Sequence, residues 1–445
     1  MRRAGYGSLR ARLASVSSGL VYGSMGGEQL AKQRKPPRVV VRPETEVLTR
    51  GYDPRLSVGS ARPAVFRSST YVFSSPESAE RAFAIALGKV QPAENENVEL
   101  IYSRLSHPNA EILEDHLVPL EARASSAAVF NTGMAAISTL LLTLCRPGSS
   151  IVYTVPVYGG THMLLYELLE PYGVHLIPVD AGDSAALARA IEAAENLAVV
   201  FIETPANPTL RMTDIAAAVA AAGLRAERPV VAVDNTFMGP VFQHPLTLGA
   251  DVCVYSATKY LAGFSDMLGG ALISVEPELV SHMRSTRSMM GNILQPDESW
   301  LLDSRLATVS LRMNRQSKNA NRIVERLIDH PQVSHIHYPS FFTDPEQKRI
   351  YEAQCDWPGG IFSLELNGDK RKAFEFLRRL RITKNAVSLG GMESLACHPA
   401  TTTHSEMTDD QLKSAGVTQG LVRVSVGIEN WRDLVQEYTD ALDAL

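Results

Sequence analysis

Short, uninterrupted apolar runs alternate with longer stretches of helical length through the middle of the chain. A strand that is buried on both faces is a continuous apolar run, and such strands belong to largely parallel sheets with helical crossovers. The runs predict strands at residues 127–130, 150–153, 174–179, 198–202, 230–233, 251–255 and 270–273. The longer stretches predict helices at 109–122, 134–145, 162–172 and 215–222. This alternation predicts an α/β fold with a mostly parallel sheet between helices.

The pattern changes after residue 305, which predicts a second, smaller domain. Helical stretches at 312–329 and 371–379 flank a strand at 360–365, and a last helix begins at residue 431. We therefore predict an N-terminal arm or extension over 1–106, a large α/β domain over 107–305 and a smaller α+β domain over 306–445. The polar, acidic stretch at 88–99 predicts a loop.

Composition excludes several classes of partner. The 445 residues are 45% hydrophobic and 20% charged, which is typical of a globular enzyme with more than one core. The formal net charge of −5 gives no reason to expect nucleic acid or an anionic membrane as a partner. No apolar run approaches the roughly 20 residues that span a bilayer. The four cysteines are scattered, which argues against a disulfide framework or a zinc site and favours the cytoplasm.

The first 38 residues carry eight Lys or Arg and a single acid, Glu28. This composition fits a transit peptide, a disordered arm, or sequence upstream of a true start at Met25. We favour an arm without a catalytic role.

Lys259 is the strongest candidate for a chemical role. It follows the apolar run at 251–255 and stands behind the hydroxyl residues Ser256 and Thr258. Burial lowers the pKa of a lysine and makes it a nucleophilic amine, which a Schiff-base lysine requires. The two hydroxyls would share one side of an extended segment and could hold a phosphate. We interpret Lys259 as the residue that binds pyridoxal phosphate (PLP); the alternative is a surface lysine at a strand end.

Other polar residues follow predicted strands, where ligands of parallel sheets bind. Asp234 ends the strand at 230–233 and could pair with a protonated pyridine nitrogen, although it could also cap the following segment. Asn207 lies between two prolines, which would hold its amide rigidly against a ligand oxygen. The alternative for Asn207 is a plain proline-rich turn.

Four further residues, in three stretches, suggest ligand contacts. Gly133 and Met134 open a predicted helix, whose free N–H groups could bind a phosphate. Tyr158 precedes two glycines, which would let its ring approach a flat cofactor face to face. Arg423 lies among alternating apolar residues and suits a bidentate contact with a substrate carboxylate. An arginine on an edge strand, with its charge reaching solvent, is the alternative.

Taken together, these stretches resemble the PLP enzymes of Cys/Met metabolism: cystathionine synthases and lyases, methionine γ-lyases and O-acylhomoserine sulfhydrylases. The resemblance covers most of the chain, from about residue 51 to 429. It is carried by YSR at 102–104, NTGM at 131–134, VYGGT at 157–161, ETPANP at 203–208, DNT at 234–236, SATK at 256–259, SLGG at 388–391, HPA at 398–400 and RVSVG at 423–427. It implies a PLP-dependent transferase-like fold of the aspartate aminotransferase type.

The resemblance also implies roles for specific residues. PLP would be bound covalently at Lys259, and Tyr102 and Arg104 would reach the cofactor phosphate of a neighbouring subunit. The chain would then form a homo-oligomer, at least a dimer with shared active sites and usually a tetramer. Ser388 would orient the lysine and the substrate carboxylate, and Tyr158 would assist proton transfer to the leaving group.

Three departures from the family pattern bear on the substrate. Val387 stands where cystathionine synthases and lyases carry a glutamate, which leaves nothing to hold the distal amino group of cystathionine. Gly160 stands where methionine γ-lyases typically place a cysteine, and Phe264 replaces the usual histidine, for which the sequence offers no physical reason. Val387 predicts an uncharged γ-substituent.

The leading hypothesis is γ-elimination on a methionine-like amino acid, giving 2-oxobutanoate, ammonia and a thiol. The closest alternative is γ-replacement, in which O-acetyl- or O-succinylhomoserine reacts with sulfide or a thiol to give homocysteine, cystathionine or methionine. A catalytically inactive family member is a third hypothesis. A nicotinamide dehydrogenase is set aside because no G-x-G-x-x-G follows a strand.

Overall fold

The structure is a computed structural model that describes residues 42–93, 96 and 98–445. The interpretation of the first 38 residues as an arm lies outside the described residues, as do positions 94, 95 and 97 of the predicted loop. The described positions of 88–99 form no helix or strand, in agreement with that loop.

All seven apolar runs form strands, with bounds that differ from the prediction by one or two residues at most ends. In chain order the strands are β1 Ser126–Phe130, β2 Ser150–Val155, β3 His175–Asp180, β4 Leu197–Glu203, β5 Val230–Asp234, β6 Val252–Tyr255, β7 Gly270–Ser274, β8 Val333–His337, β9 Ile361–Leu366, β10 Lys384–Asn385, β11 Leu395–Cys397 and β12 Leu421–Ser425.

The five strands beyond the seven apolar runs, β8 to β12, all lie in the C-terminal third of the described chain.

The described helices include all seven predicted ones and eight that the sequence pattern did not predict. In chain order they are α1 Pro43–Glu46, α2 Pro76–Ala86, α3 Pro108–Leu117, α4 Gly133–Leu144, α5 Gly159–Met163, α6 Ser184–Ala193, α7 Ile215–Gly223, α8 Gly239–Phe242, α9 Pro277–Met290, α10 Pro296–Leu306, α11 Val309–Leu327, α12 Pro345–Gln354, α13 Lys370–Arg379, α14 Asp409–Ser414 and α15 Trp431–Asp443. A π-helical turn, Leu164–Leu169, continues α5, so the helix predicted at 162–172 forms with a widened turn.

Contacts divide the described chain into two compact units. The first contains the described residues up to Asn131 together with Ala271–Ala307, and the second contains Thr132–Gly270 together with Thr308–Leu445. The first unit holds α2, α3, α9 and α10 with strand β1. The predicted division into an arm over 1–106 and domains over 107–305 and 306–445 stays a prediction.

A parallel sheet organises the first half of the second unit. Its strands lie in the order β6-β5-β4-β2-β3, and each neighbouring pair is parallel. Apolar side chains of β2, β4 and β5 pack against α6 and α7 in one buried cluster, which includes Val200, Val231, Leu187 and Ile215. This confirms the predicted α/β fold, and it brings the carboxyl ends of β2, β4, β5 and β6 to one edge of the sheet.

A second sheet organises the C-terminal part of the same unit. Its order is β10-β11-β12-β9-β8, and only the β10–β11 pair is parallel. Apolar residues of α11, α13 and α15, such as Ile323, Phe376 and Leu434, cover it in one cluster. Strand β12 lies between β11 and β9, so the alternative that placed Arg423 on an edge strand is wrong.

Within the described residues, no helix combines the length and the apolar character needed to cross a membrane. The same part of the chain contains no group of three or more His, Cys, Asp or Glu side chains arranged to hold a metal ion. The four cysteines, Cys145, Cys253, Cys355 and Cys397, are all free thiols.

Candidate active site

A cavity of about 310 Å³ lies in the second unit, where the parallel strands end. The last residue of β4, Glu203, is in register with the last residue of β5, Asp234, and Lys259 follows β6 by four residues. Ten of the predicted site residues line this cavity: Gly133, Met134, Tyr158, Asn207, Asp234, Ser256, Thr258, Lys259, Val387 and Arg423. The structure therefore brings together residues from seven separate stretches of the sequence.

The Lys259 amine is held at the cavity by the C-terminal part of the chain. Its Nζ donates a hydrogen bond of 3.0 Å to Ser388 Oγ. Burial, together with the positive charge of Arg423, lowers the pKa of Lys259 to about 8. The alternative of an ordinary surface lysine is therefore wrong, and the uncharged fraction of the Lys259 amine near neutral pH is larger than that of such a lysine.

The hydroxyl residues before Lys259 lie in a turn, so the prediction of an extended segment is wrong. Strand β6 ends at Tyr255, and the Lys259 N–H donates to Ser256 O at 3.0 Å. The turn forms because Thr258 Oγ1 accepts from the Gly269 N–H at 3.0 Å. Ser256 and Thr258 still line the cavity, but the turn, and not the alternation of a strand, places them there.

The first turn of α4 faces the same turn. Thr132 caps the helix by accepting a hydrogen bond of 2.9 Å from the Ala135 N–H. The N–H groups of Gly133 and Met134 belong to the first turn, where no intrahelical acceptor exists. A Cβ on Gly133 would lie 2.9 Å from Ser256 Oγ, so only glycine lets the helix end and this hydroxyl approach so closely. Free N–H groups beside a hydroxyl at a helix N-terminus suit a phosphate.

Asp234 has a buried carboxylate, which a neighbouring positive charge would stabilise. Its side chain is 8% exposed, and burial raises its pKa. One oxygen, Oδ1, accepts from the Thr236 N–H at 3.0 Å, so the predicted capping alternative holds for that oxygen. In the described part of the chain, no cationic side chain forms an ion pair with Asp234. A protonated pyridine nitrogen would supply the missing charge, so the residues at this site fit PLP.

Arg423 connects three parts of the cavity wall. Its Nη1 donates to Asn207 Oδ1 at 2.9 Å, and its Nη2 donates to the Val387 carbonyl at 2.7 Å and the Ser388 carbonyl at 3.3 Å. Arg423 as a whole residue is 2% exposed. The side-chain oxygen of Asn207 already accepts a hydrogen bond from Arg423. The NH₂ group is therefore the part of the Asn207 amide that would contact a ligand, as a donor.

Glu203 also lines the cavity, although the sequence analysis did not identify it as a candidate site residue. It is 5% exposed, and its two oxygens accept from the Tyr158 N–H at 2.8 Å and the Asn207 N–H at 3.3 Å. Burial and the neighbouring charge of Asp234 raise its pKa. The signal was available, since Glu203 ends a predicted strand just as Asp234 does.

The structure shows the surroundings of two residues that depart from the family pattern, Gly160 and Phe264. A Cβ on Gly160 would lie 2.7 Å from Tyr158 Cε1 and 3.0 Å from Met134 Sδ, so the Tyr158 ring occupies the space of a side chain at position 160. The Phe264 ring centroid lies 5.7 Å from Arg312 Cζ. Arg312 donates to the carbonyls of Tyr260 and Leu261, directly after the lysine, so Phe264 packs on the group that fixes this turn.

Tyr102 and Arg104 belong to the first unit and are not among the residues that line the Lys259 cavity. Arg104 Nη1 donates to the Ser288 carbonyl at 2.8 Å, and its Cζ lies 5.7 Å from the centroid of the Tyr102 ring. Both line a separate groove of about 600 Å³. Their expected contact with the cofactor of a neighbouring subunit stays a prediction.

A family model described as Cys/Met metabolism PLP-dependent enzyme matches residues 44–443. The L-methionine gamma-lyase of Pseudomonas putida is 37% identical over 402 residues, which are 90% of this chain and 97% of that protein. The cystathionine gamma-lyase of Bacillus subtilis (strain 168) is 35% identical over 353 residues, which are 79% of this chain and 91% of that protein. The crystal structure of cystathionine gamma synthase from Xanthomonas oryzae pv. oryzae in complex with cystathionine is similar with a TM-score of 0.82 and 31% identity, and it covers 91% of this chain and 98% of its own.

These matches confirm the predicted type of fold, PLP as the cofactor and small amino acids as substrates. The chain therefore belongs to the Cys/Met metabolism PLP-dependent enzymes.

Proposed function

We propose that this enzyme catalyses γ-elimination on an amino acid with an uncharged γ-substituent, as a methionine γ-lyase does, and releases 2-oxobutanoate, ammonia and a thiol. The observation that carries the proposal is Val387, which lines the Lys259 cavity and is 54% exposed. An apolar side chain there offers no ion pair to a distal ammonium group. The similarity to the P. putida L-methionine gamma-lyase supports the same assignment.

Each cavity residue has a place in this reaction. PLP, when bound, supplies an electron sink for the negative charge that develops on the substrate α-carbon. Arg423 would hold the substrate α-carboxylate through its remaining N–H groups. The Lys259 amine would hold the cofactor covalently until the substrate amine displaces it. The freed Lys259 amine would then accept the α-proton, and its lowered pKa favours the uncharged form that can do so. Asp234 would keep the pyridine nitrogen protonated, and the Tyr158 phenol would donate a proton to the leaving sulfur.

The remaining residues would hold the cofactor and the lysine. The first turn of α4, at Gly133 and Met134, would bind the phosphate together with Ser256 and Thr258. The NH₂ group of Asn207 would donate to the ring hydroxyl. Ser388 would orient the Lys259 amine through the hydrogen bond described above. A cytoplasmic location, expected from the free cysteines, stays a prediction.

We also propose a homo-oligomer, a dimer with shared active sites that pairs into a tetramer, in which Tyr102 and Arg104 reach the phosphate of the neighbouring subunit. Mixing two inactive variants tests this directly. Lys259→Ala and Arg104→Ala subunits, unfolded and refolded together, should form hybrids in which one of the two sites is intact. Recovered activity supports shared sites, and no recovery from hybrids of confirmed composition contradicts them.

The alternative proposal is γ-replacement, which the similarity to a cystathionine gamma synthase structure supports. A substrate panel separates the two reactions. Purified enzyme is incubated with methionine, cystathionine, O-acetylhomoserine and O-succinylhomoserine, with and without a thiol, and assayed for keto acid, ammonia and thioether.

Keto acid from methionine without added thiol supports elimination. Thioether formed from an acyl donor, with no keto acid in the absence of thiol, supports replacement and contradicts the leading proposal. If the enzyme turns over cystathionine far faster than methionine, the prediction of an uncharged γ-substituent from Val387 is wrong. Lys259→Ala serves as the inactive control, because it lacks the amine that both reactions require.

A further inference from the structure

The side chain of Glu203 joins two walls of the cavity. Its Oε2 accepts from the Tyr158 N–H at 2.8 Å, and its Oε1 accepts from the Asn207 N–H at 3.3 Å. Tyr158 follows β2 and Asn207 follows β4, so one carboxylate bridges the segments beyond two neighbouring strands. We propose that Glu203 is a positioning residue for the reaction, which sets the places of the Tyr158 phenol and the Asn207 amide; this rests on the function proposed above.

The bridge extends from Glu203 to the reacting amine. Asn207 Oδ1 accepts from Arg423 at 2.9 Å, Arg423 donates to the carbonyl of Ser388 at 3.3 Å, and Ser388 Oγ accepts from Lys259 Nζ at 3.0 Å. Each link is a direct hydrogen bond within the second unit. A displacement of Asn207 would therefore shift Arg423, and with it the segment that holds the lysine.

The chemistry of the site explains why a glutamate is needed. Two backbone N–H groups require two acceptor oxygens, and a carboxylate supplies both, whereas a glutamine has one oxygen and an NH₂ group that faces the second donor. An ionised Glu203 beside Asp234 is costly, because burial removes its hydration and the charge of Asp234 repels it, and both effects raise the pKa of Glu203. The two N–H groups and the positive charge of Arg423 offset part of this cost. A position occupied at such a cost suggests a role beyond filling space.

Glu437 offers a matched control. It is also a glutamate that accepts from several backbone N–H groups, those of Arg381, Ile382 and Thr383, the last at 3.0 Å. It lies on α15 and is not among the residues that line the cavity. Glu437→Gln and Glu203→Gln therefore make the same chemical change to a carboxylate that accepts from backbone N–H groups. Glu203 is buried and lines the cavity, whereas Glu437 is partly exposed and does not line it.

The experiment compares wild type, Glu203→Gln, Glu203→Asp and Glu437→Gln as full-length enzymes. Three quantities are measured: the dissociation constant of the apoenzyme for PLP, the circular dichroism of bound PLP, and kcat and KM for the substrate that the panel identifies. For Glu203→Gln we expect PLP binding weakened about three- to tenfold, as loss of one buried hydrogen bond implies. We also expect an altered dichroism band and a kcat lowered about ten- to a hundredfold with a smaller change in KM.

Glu203→Asp, which is too short to reach both N–H groups, should behave similarly, and Glu437→Gln should match wild type in all three measurements while losing thermal stability. The proposal is overturned if Glu203→Gln loses only stability, to the extent that Glu437→Gln does, and keeps the PLP affinity, the dichroism and kcat of wild type. If wild type turns over none of the panel substrates, the proposed function fails, and the PLP affinity and dichroism still decide the role of Glu203.

Discussion

Lys259 Nζ donates a hydrogen bond of 3.0 Å to Ser388 Oγ, across 129 positions of sequence. The lysine follows the parallel sheet, and the serine belongs to the segment before β11 in the C-terminal part of the second unit. The reacting amine is thus placed by the packing of the two sheets in this unit. When the Lys259 amine is charged, its hydrogen bond contributes more to stability than a hydrogen bond between neutral groups.

Ser388→Ala should lower kcat/KM about tenfold, because an amine without its acceptor samples more orientations. Steady-state kinetics on the identified substrate measure this. Ser388→Thr keeps the hydroxyl and should retain most of the activity. Equal losses in the Ala and Thr variants would show that the hydroxyl is not what matters.

The pKa of Lys259 predicts how the rate of cofactor uptake depends on pH. Burial and the charge of Arg423 lower this pKa to about 8, whereas an ordinary lysine has a pKa of about 10.4. Only the uncharged amine attacks an aldehyde, and its fraction grows as the pH rises through the pKa. The rate at which the apoenzyme incorporates PLP should therefore rise with a midpoint near pH 8. Stopped-flow absorbance measures it, and a midpoint near pH 10 would contradict the shift.

The sequence was sufficient for most of the parallel sheet and its strand-end residues. Asp234 was found because a strand buried on both faces is an apolar run, and its end shows as the first polar residue. Lys259 was found because it follows such a run within four residues, behind two hydroxyl residues. Gly133 was found because a glycine at the start of an apolar helix is a local signal. Each of these depends on residues close together in sequence.

Contacts between distant residues were beyond the reach of the sequence pattern. The bridge from Glu203 to the Tyr158 N–H depends on how the segments after β2 and β4 approach each other. Likewise, the turn at Ser256 and Thr258 depends on Gly269, which lies eleven positions beyond Thr258. Local alternation predicted an extended segment there, and tertiary hydrogen bonds made it a turn.

Gly390 should be indispensable for the position of Lys259. It has a φ of +77°, and an added Cβ would lie 2.8 Å from the Tyr260 nitrogen and 3.0 Å from the Lys259 carbonyl carbon. Gly291 has the same φ of +77°, but a Cβ there meets no described atom within 4 Å. Gly291→Ala should therefore cost only the backbone strain, about 1–2 kcal/mol of the free energy of unfolding.

Gly390→Ala should cost about 1–3 kcal/mol more, because backbone atoms must move apart, and it should also weaken PLP binding. Urea denaturation of both apoenzymes and PLP titration measure the two effects. Equal losses of stability in the two variants, with unchanged PLP affinity in both, would contradict the close packing at Gly390.

Val387→Glu should raise the preference for cystathionine over methionine. The new carboxylate would stand at a half-exposed position of the cavity wall and could pair with the distal ammonium of cystathionine, which methionine lacks. Because an exposed ion pair contributes up to about 1 kcal/mol, the ratio of the two kcat/KM values should rise about fivefold. Val387→Gln, similar in size but uncharged, should leave the ratio near that of wild type. The rise in this ratio should also shrink as salt is added, because salt screens exposed charges. If the Gln variant shows the same rise, or if added salt does not reduce the rise in the Glu variant, the size and not the charge of the side chain at position 387 selects the substrate.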